Sequence, residues 1–392
     1  TDEQRAALAK LLEATIPDWE LTFDLDRVVP DLDDGAEFAD TPGLEHAPPV
    51  IVHSREPAVL VAFDGEPVVR DLDGAPAIES VVNTPFPVLR ENGATVFYLH
   101  GGGQLWYAAA DPLGPWAVAD GPVPAAIERV VESQAPPDSD EGPGDVAPPA
   151  IVTATEPTEL VVTDGDLRWA PIDGLDLLFC DNTDSDLFLD ITSQRYFLLI
   201  SGRWYAGTAV GERLDWEHVP NDELPEPFTD IPADSVNGHV LAHVAGTPQA
   251  REQALENVIP QTSAVRRDDA SLEVAYDGAP EFEPVEDTPE VRYAVNTAAS
   301  VFLVGTTYFA CDNAVWYRSS SPTGPWQVAT EIPSALYSIP PSNPHHNVTY
   351  VHVYDVTPTV VYVGYTPGYV GSYWYRGCVV WGTGWAYHPW YG

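Results

Sequence analysis

The 392-residue chain contains no methionine, a single lysine (Lys10) and three cysteines, and its 17 basic residues face 60 acidic ones, for a formal net charge of −43. Each shortage excludes something. Nucleic acids and anionic membrane surfaces are held through clustered Lys and Arg, which this chain cannot supply, so neither is expected as a partner. Cys180, Cys311 and Cys378 are too few to staple a chain of this length and form no C-x-x-C pair, so they read as buried free thiols. No apolar run approaches about 18 residues, so no membrane insertion is expected. The lack of methionine and the start at Thr1 point to a removed signal segment, and hence to an extracellular, cell-surface or periplasmic location. Glycine-rich phosphate loops, a G-x-S-x-G elbow and an H-E-x-x-H pair are absent from the sequence, which favours a protein that is not an enzyme and has no cofactor.

What is present is a repeat. Apolar residues make up 44% and aromatics 11% of the chain, enough for a sizeable core, and they recur in register. Asp-Gly stands at 64–65, 164–165 and 277–278, Asn-Thr at 83–84, 182–183 and 296–297, and Trp-Tyr at 106–107, 204–205 and 316–317. A second tryptophan closes each copy, at Trp116, Trp216 and Trp326. The period is about 100–113 residues. Within the second copy, β-branched and aromatic runs predict eight strands near 150–154, 159–163, 167–172, 176–181, 187–191, 195–200, 203–209 and 215–219. Asp-Gly and Ser-Gly tolerate positive φ, so both read as hairpin turns.

Eight strands per copy split into two four-stranded halves, and three copies then give an all-β, six-bladed β-propeller. Three tandem two-sheet sandwiches are the rival arrangement. The expected layout is an N-terminal helix and lead-in over 1–48, the propeller over 49–343 and an aromatic segment rich in Tyr, Trp and Gly over 344–392. The repeats span about 49–132, 149–235 and 264–343, separated by an acidic loop at 133–148 and a helical insert at 236–263. In that insert Thr247 and Pro248 mark a helix start, with Ala254, Leu255 and Val258 on one face.

Candidate sites are few. Trp106, Trp204 and Trp316, with Trp116, Trp216 and Trp326, recur in every copy and are read first as packing positions, although an exposed indole could stack on a sugar ring. Tyr365, Tyr369, Trp374, Trp381 and Trp385 occur once, in the tail, and are the preferred ligand-binding candidates. Asp181, Asp184 and Asp186 are a weak candidate Ca2+ site without the spacing of an EF-hand. His345, His346 and His352 are the only histidine cluster, read as a turn before a strand.

The ordered series NTPFPVL, DNTDSDLFLDITSQRYFLLISGRWY, TPQAREQALENVIPQTSAV, SPTGPW and NVTYVHVYDVTPTVVYVGYTPGY resembles a widespread family of secreted bacterial repeat proteins of uncharacterised function. Some of its members are labelled carbohydrate-binding on aromatic motifs alone. The resemblance runs from about residue 5 to 392 and implies a secreted, repeat-built protein; it assigns no catalytic residue. The leading expectation is a non-enzymatic structural protein at the cell surface that self-assembles as a homo-oligomer, filament or matrix. The alternative is a carbohydrate-binding module whose partner is a polysaccharide, and a third reading is a hydrolase with its site at the propeller mouth.

Overall fold

The computed structural model describes residues 40–72, 74–134, 147–208, 216–257, 259–268 and 271–385. The expected N-terminal helix and most of the acidic loop lie outside these residues. The described chain is mainly β, and each repeat copy builds one six-stranded antiparallel sheet in simple chain order. The first sheet runs through Val69–Leu72, Ala75–Val81, Val88–Glu91, Phe97–His100, Trp106–Ala109 and Ala117–Val118. The second uses Trp169–Pro171, Leu177–Cys180, Leu187–Asp190, Arg195–Ile200, Arg203–Gly207 and Glu217–Val219. In the third copy the strands are Phe282–Val285, Thr288–Ala294, Ser300–Val304, Thr307–Asp312, Val315–Ser319 and Gln327–Val328.

The strand positions agree with the periodicity, but their partnership differs from two separate four-stranded halves per copy. Six strands of each copy form one sheet, and the two lead-in strands leave it. In the first two copies the lead-ins are exchanged. Val50–Ser54 of copy one runs parallel to Thr158–Val162 of copy two, and Ala150–Ala154 of copy two runs parallel to Ala58–Ala62 of copy one. The flanking bonds are reciprocal: Val50 N–H donates to Pro157 O (2.9 Å) and Ala150 N–H to Pro57 O (2.8 Å). At the other end Thr163 N–H donates to Ser54 O (2.9 Å) and Phe63 N–H to Ala154 O (2.8 Å).

This exchange explains why Asp-Gly is a corner and not the expected hairpin. The strands on either side of it pair elsewhere, so the positive φ of Gly65, Gly165 and Gly278 turns the chain from the lead-in into the sheet. The repeated asparagine fastens that corner. Asn83 Nδ2 donates to Asp64 O and Glu66 O while its Oδ1 accepts from Val68 N–H. Asn182 and Asn296 make the equivalent three bonds. Ser201 and Gly202, both at positive φ, do form the predicted tight hairpin turn, and Asn313 and Ala314 repeat it in copy three.

Trp and Tyr of each Trp-Tyr pair face opposite sides of their sheet, as alternation along a strand requires. Tyr205 packs with Ile51, Val161 and Leu198 on the lead-in side, and Trp204 with Phe188, Phe197 and Phe228 on the other. In the third copy the lead-in side is covered by the tail: Val360–Tyr365 pairs antiparallel with Gln261–Arg266, and Val361 and Val363 join the core beside Tyr317.

Two helices are described. Helix α1 (Ala125–Gln134) falls at the end of copy one, where the sequence reading had no helix. Helix α2 (Pro248–Glu256) is the expected insert, its Thr247 side chain accepting from Ala250 N–H at 3.1 Å. The buried face of α2 is Ala250 and Ala254; Leu255, expected on that face, is exposed, and the side chain of Val258 lies outside the described residues.

Candidate functional site

The six repeat tryptophans are not equivalent. Trp204 and Trp316 are fully buried, at 0% exposure, and their indole N–H groups donate to His243 O (2.8 Å) and Val351 O (2.9 Å). Those acceptors end a cap that the sequence reading missed. In copy two it is a pair of short 3-10 turns, Glu226–Asp230 and Gly238–His243; in copy three, Ser334–Ser338 and His346–Tyr350. Both caps follow one pattern: a proline (Pro225, Pro333), an apolar residue three positions on (Phe228, Leu336), an Ile-Pro break (Ile231-Pro232, Ile339-Pro340) and a later valine (Val240, Val348). All of these apolar residues are buried against the tryptophan face of their sheet.

Copy one starts the same cap, and the positions equivalent to its second turn lie outside the described residues. Pro124 is followed three residues later by Ile127, fully buried against Ile78 and Leu89. Where the Ile-Pro break belongs, the chain has Val130-Val131. Without a proline to remove an N–H and clash with the preceding turn, the segment continues as α1. Among the described residues nothing accepts a hydrogen bond from Trp106 Nε1.

The hairpin before this tryptophan differs too. The two-residue turns of the other copies become a five-residue loop, Gly101–Leu105, with positive φ at Gly102 and Gly103. Loop and helix together leave a groove of about 780 Å³. One wall is Trp106 and Leu105, the other is α1 with Glu128, Val131 and Glu132, and His100 and Gln104 stand at the loop end. Glu128 and Glu132, one helical turn apart, project their carboxylates to the same side. The His100 ring lies 4.7 Å from the Trp106 ring and its Nε2 is 3.0 Å from Gly103 O. The groove thus offers a half-buried indole ringed by carboxylate, amide and imidazole groups.

The other tryptophans sit in packing positions. Trp116 is half-buried and donates from Nε1 to Pro112 O at 3.1 Å; Trp216 and Trp326 are buried, their indole N–H groups without a partner. In the tail, Tyr365 and Tyr369 pack on the third-copy core, and Tyr369 Oη accepts from Ala314 N–H. Trp374 is half-buried in the strand Ser372–Tyr375, while Trp381 (39%) and Trp385 (53%) are exposed. The tail candidates therefore do not form one aromatic face.

The tail is held to copy two by a buried guanidinium. Arg203 occupies the position before Trp-Tyr, where the other copies have Leu105 and Val315. It donates to Trp381 O (2.7 Å), Gly382 O (2.8 Å) and His46 Nδ1 (3.1 Å). His46 stacks on Tyr375 (3.9 Å) and His218 (4.7 Å). Burial, together with the charge of Arg203, pushes the pKa of His46 down to about 3 and that of His218 to about 4.

The three candidate calcium ligands take separate roles. Asp181 accepts from Arg168 Nε, Asp186 pairs with His239 Nε2 at 2.7 Å, and Asp184 is exposed at the rim of a shallow cleft with Asp164. Among the described residues no three His, Cys, Asp or Glu side chains gather as a metal-holding group. His345, His346 and His352 likewise diverge, to Ser300 Oγ, Ile339 O and the face of Tyr337. All three thiols are free and buried, as expected. No described helix is long and apolar enough to cross a membrane.

Set against protein-family models, curated proteins and solved structures, the chain finds no match.

Proposed function

We propose that the chain is a secreted, non-enzymatic carbohydrate-binding repeat protein whose ligand lies in the groove beside Trp106. The observation that carries this reading is the groove beside α1, which is lined by the half-buried Trp106, while its counterparts Trp204 and Trp316 are fully buried. The apolar face of a pyranose stacks on an indole, and its hydroxyls donate to the Glu128 and Glu132 carboxylates and pair with the Gln104 amide. Two carboxylates in a chain of net charge −43 favour neutral or amino sugars and repel polyuronates. Closure remains part of the same proposal: the three six-stranded sheets would stand around a common axis.

Tryptophan fluorescence and calorimetry with a neutral glucan, an amino polysaccharide and a polyuronate test it. Binding of one of the first two, weakened at least tenfold by Trp106→Ala and unchanged by Trp381→Ala, is the expected result. Binding abolished by Trp381→Ala or Trp385→Ala would move the site to the tail, and no response to any glycan would end the reading.

Self-assembly, the other expectation, draws on different residues in the third copy.

A further inference from the structure

The lead-in segments of the first two copies complete one another, and the third copy has no intramolecular counterpart. Aligned on Asp-Gly, its lead-ins are residues 263–267, equivalent to Val50–Ser54 and Ala150–Ala154, and residues 271–275, equivalent to Ala58–Ala62 and Thr158–Val162. Gln261–Arg266 forms an edge strand: the tail pairs with one side of it, and no described residue pairs with the other. Ser271 to Ala275 take part in no backbone–backbone hydrogen bond among the described residues, Ala275 O accepting only from Thr297 Oγ1 (2.7 Å). The segment is nevertheless positioned as a strand. Leu272 and Val274 are half-buried against the third-copy core, and Ser271, Glu273 and Ala275 are exposed, an alternation of period two. Residues 263, 264, 266 and 267 are exposed, whereas the equivalent residues 50, 51, 53 and 54 are buried or half-buried by their exchanged partner.

We propose that the partner of this open edge is the same edge of a second copy of this chain. Residues 263–267 of each protomer run parallel to residues 271–275 of the other, about a two-fold axis, repeating between chains the exchange that joins copies one and two within a chain. The register follows from the equivalence: Val50 faces Thr158 in the internal exchange, so Ser263 faces Ser271 of the second protomer. Charge permits it locally. Residues 261–275 carry two arginines against three acids, nearly neutral in a chain of net charge −43, and Arg266 and Arg267 end the strand that approaches Glu273. An isologous pairing of this kind closes on itself, so it yields dimers and not open fibres.

The test uses the full chain in two forms. Sedimentation velocity at high salt, where the acidic surfaces are screened, is expected to show a concentration-dependent dimer. Glu273→Pro, which removes an amide that no bond within the chain uses, is expected to weaken that dimer at least tenfold. In a second experiment, Ser263→Cys protein is mixed with Ser271→Cys protein under mild oxidation; the three native thiols are buried and do not compete. A covalent heterodimer forming in preference to either homodimer supports the register. A monomer at all concentrations, a dimer indifferent to Glu273→Pro, or homodimeric crosslinks alone would overturn it.

Discussion

In copies two and three the tryptophan of the Trp-Tyr pair is fully buried, whereas in copy one it is half-buried and lines a groove, although all three share the same landmarks in the same order. The difference lies in two small places: a proline absent at the cap break, and a turn lengthened from two residues to five. Buried tryptophan with a paired N–H is a structural element, worth the removal of a large apolar surface from water. The same residue with one face on a groove is a surface that something else can cover.

The sharpest way to break this comparison is to truncate the tryptophans. Trp204→Ala and Trp316→Ala should each cost about 3–5 kcal/mol in chemical denaturation, while Trp106→Ala costs about 1 kcal/mol. Equal losses at all three positions would mean that Trp106 is as sealed as the others. Next comes Arg203→Ala, which leaves two buried carbonyls of the tail without donors. A loss of about 3 kcal/mol is expected, and protease cleavage should begin in residues 372–385, a region whose attachment to copy two has no analogue at Leu105 or Val315.

The corner asparagines are a control for what the copies do share. Asn83→Ala, Asn182→Ala and Asn296→Ala each delete the same three bonds, so melting should show similar losses of about 1–2 kcal/mol. The smallest expected effect concerns the exchange. Glu159, opposite Ile51 in the parallel ribbon, has its pKa raised to about 7 by burial. Its folded form binds the proton more tightly than the unfolded chain does, so its contribution is greatest in acid and falls as pH rises from about 4.5 to 7. Glu159→Gln should flatten that slope and stabilise the protein at pH 8 by about 1 kcal/mol. His46 and His218 act with the opposite sign: their depressed pKa values make the folded state lose stability as pH falls below about 6.5. A pH–stability curve of Glu159→Gln that still declines toward pH 7 would assign that decline elsewhere.

Much of the fold was legible. All eight strands of copy two lie within two residues of their periodic runs, because alternation and turn chemistry are local signals. Which strands share a sheet was not legible. The parallel exchange joins residues such as Val52 and Leu160, and nothing in either segment alone distinguishes a strand that pairs with its neighbour from one that pairs with the next copy. Asp164-Gly165 misled for the same reason: the dipeptide announces positive φ, not the destination of the strands around it.

The caps were missed because their spacing of proline and single apolar residues matches neither helix nor strand period. Phe228, Ile231 and Val240 become recognisable only beside Leu336, Ile339 and Val348. Trp106 was read as one of three equals, and only the longer Gly101–Leu105 loop hinted at its separate fate.

The crossed lead-ins also set a timetable. A polypeptide that leaves a ribosome or a translocation pore from its N-terminus presents 50–62 about a hundred residues before the partner strands at 150–162 exist. Until those arrive, the first copy holds two unmated β-edges, and the loop between the copies must stay long enough for the later segment to swing back. Duplication has here converted two neighbours into a single cooperative unit, whose slow step should be the meeting of these distant strands.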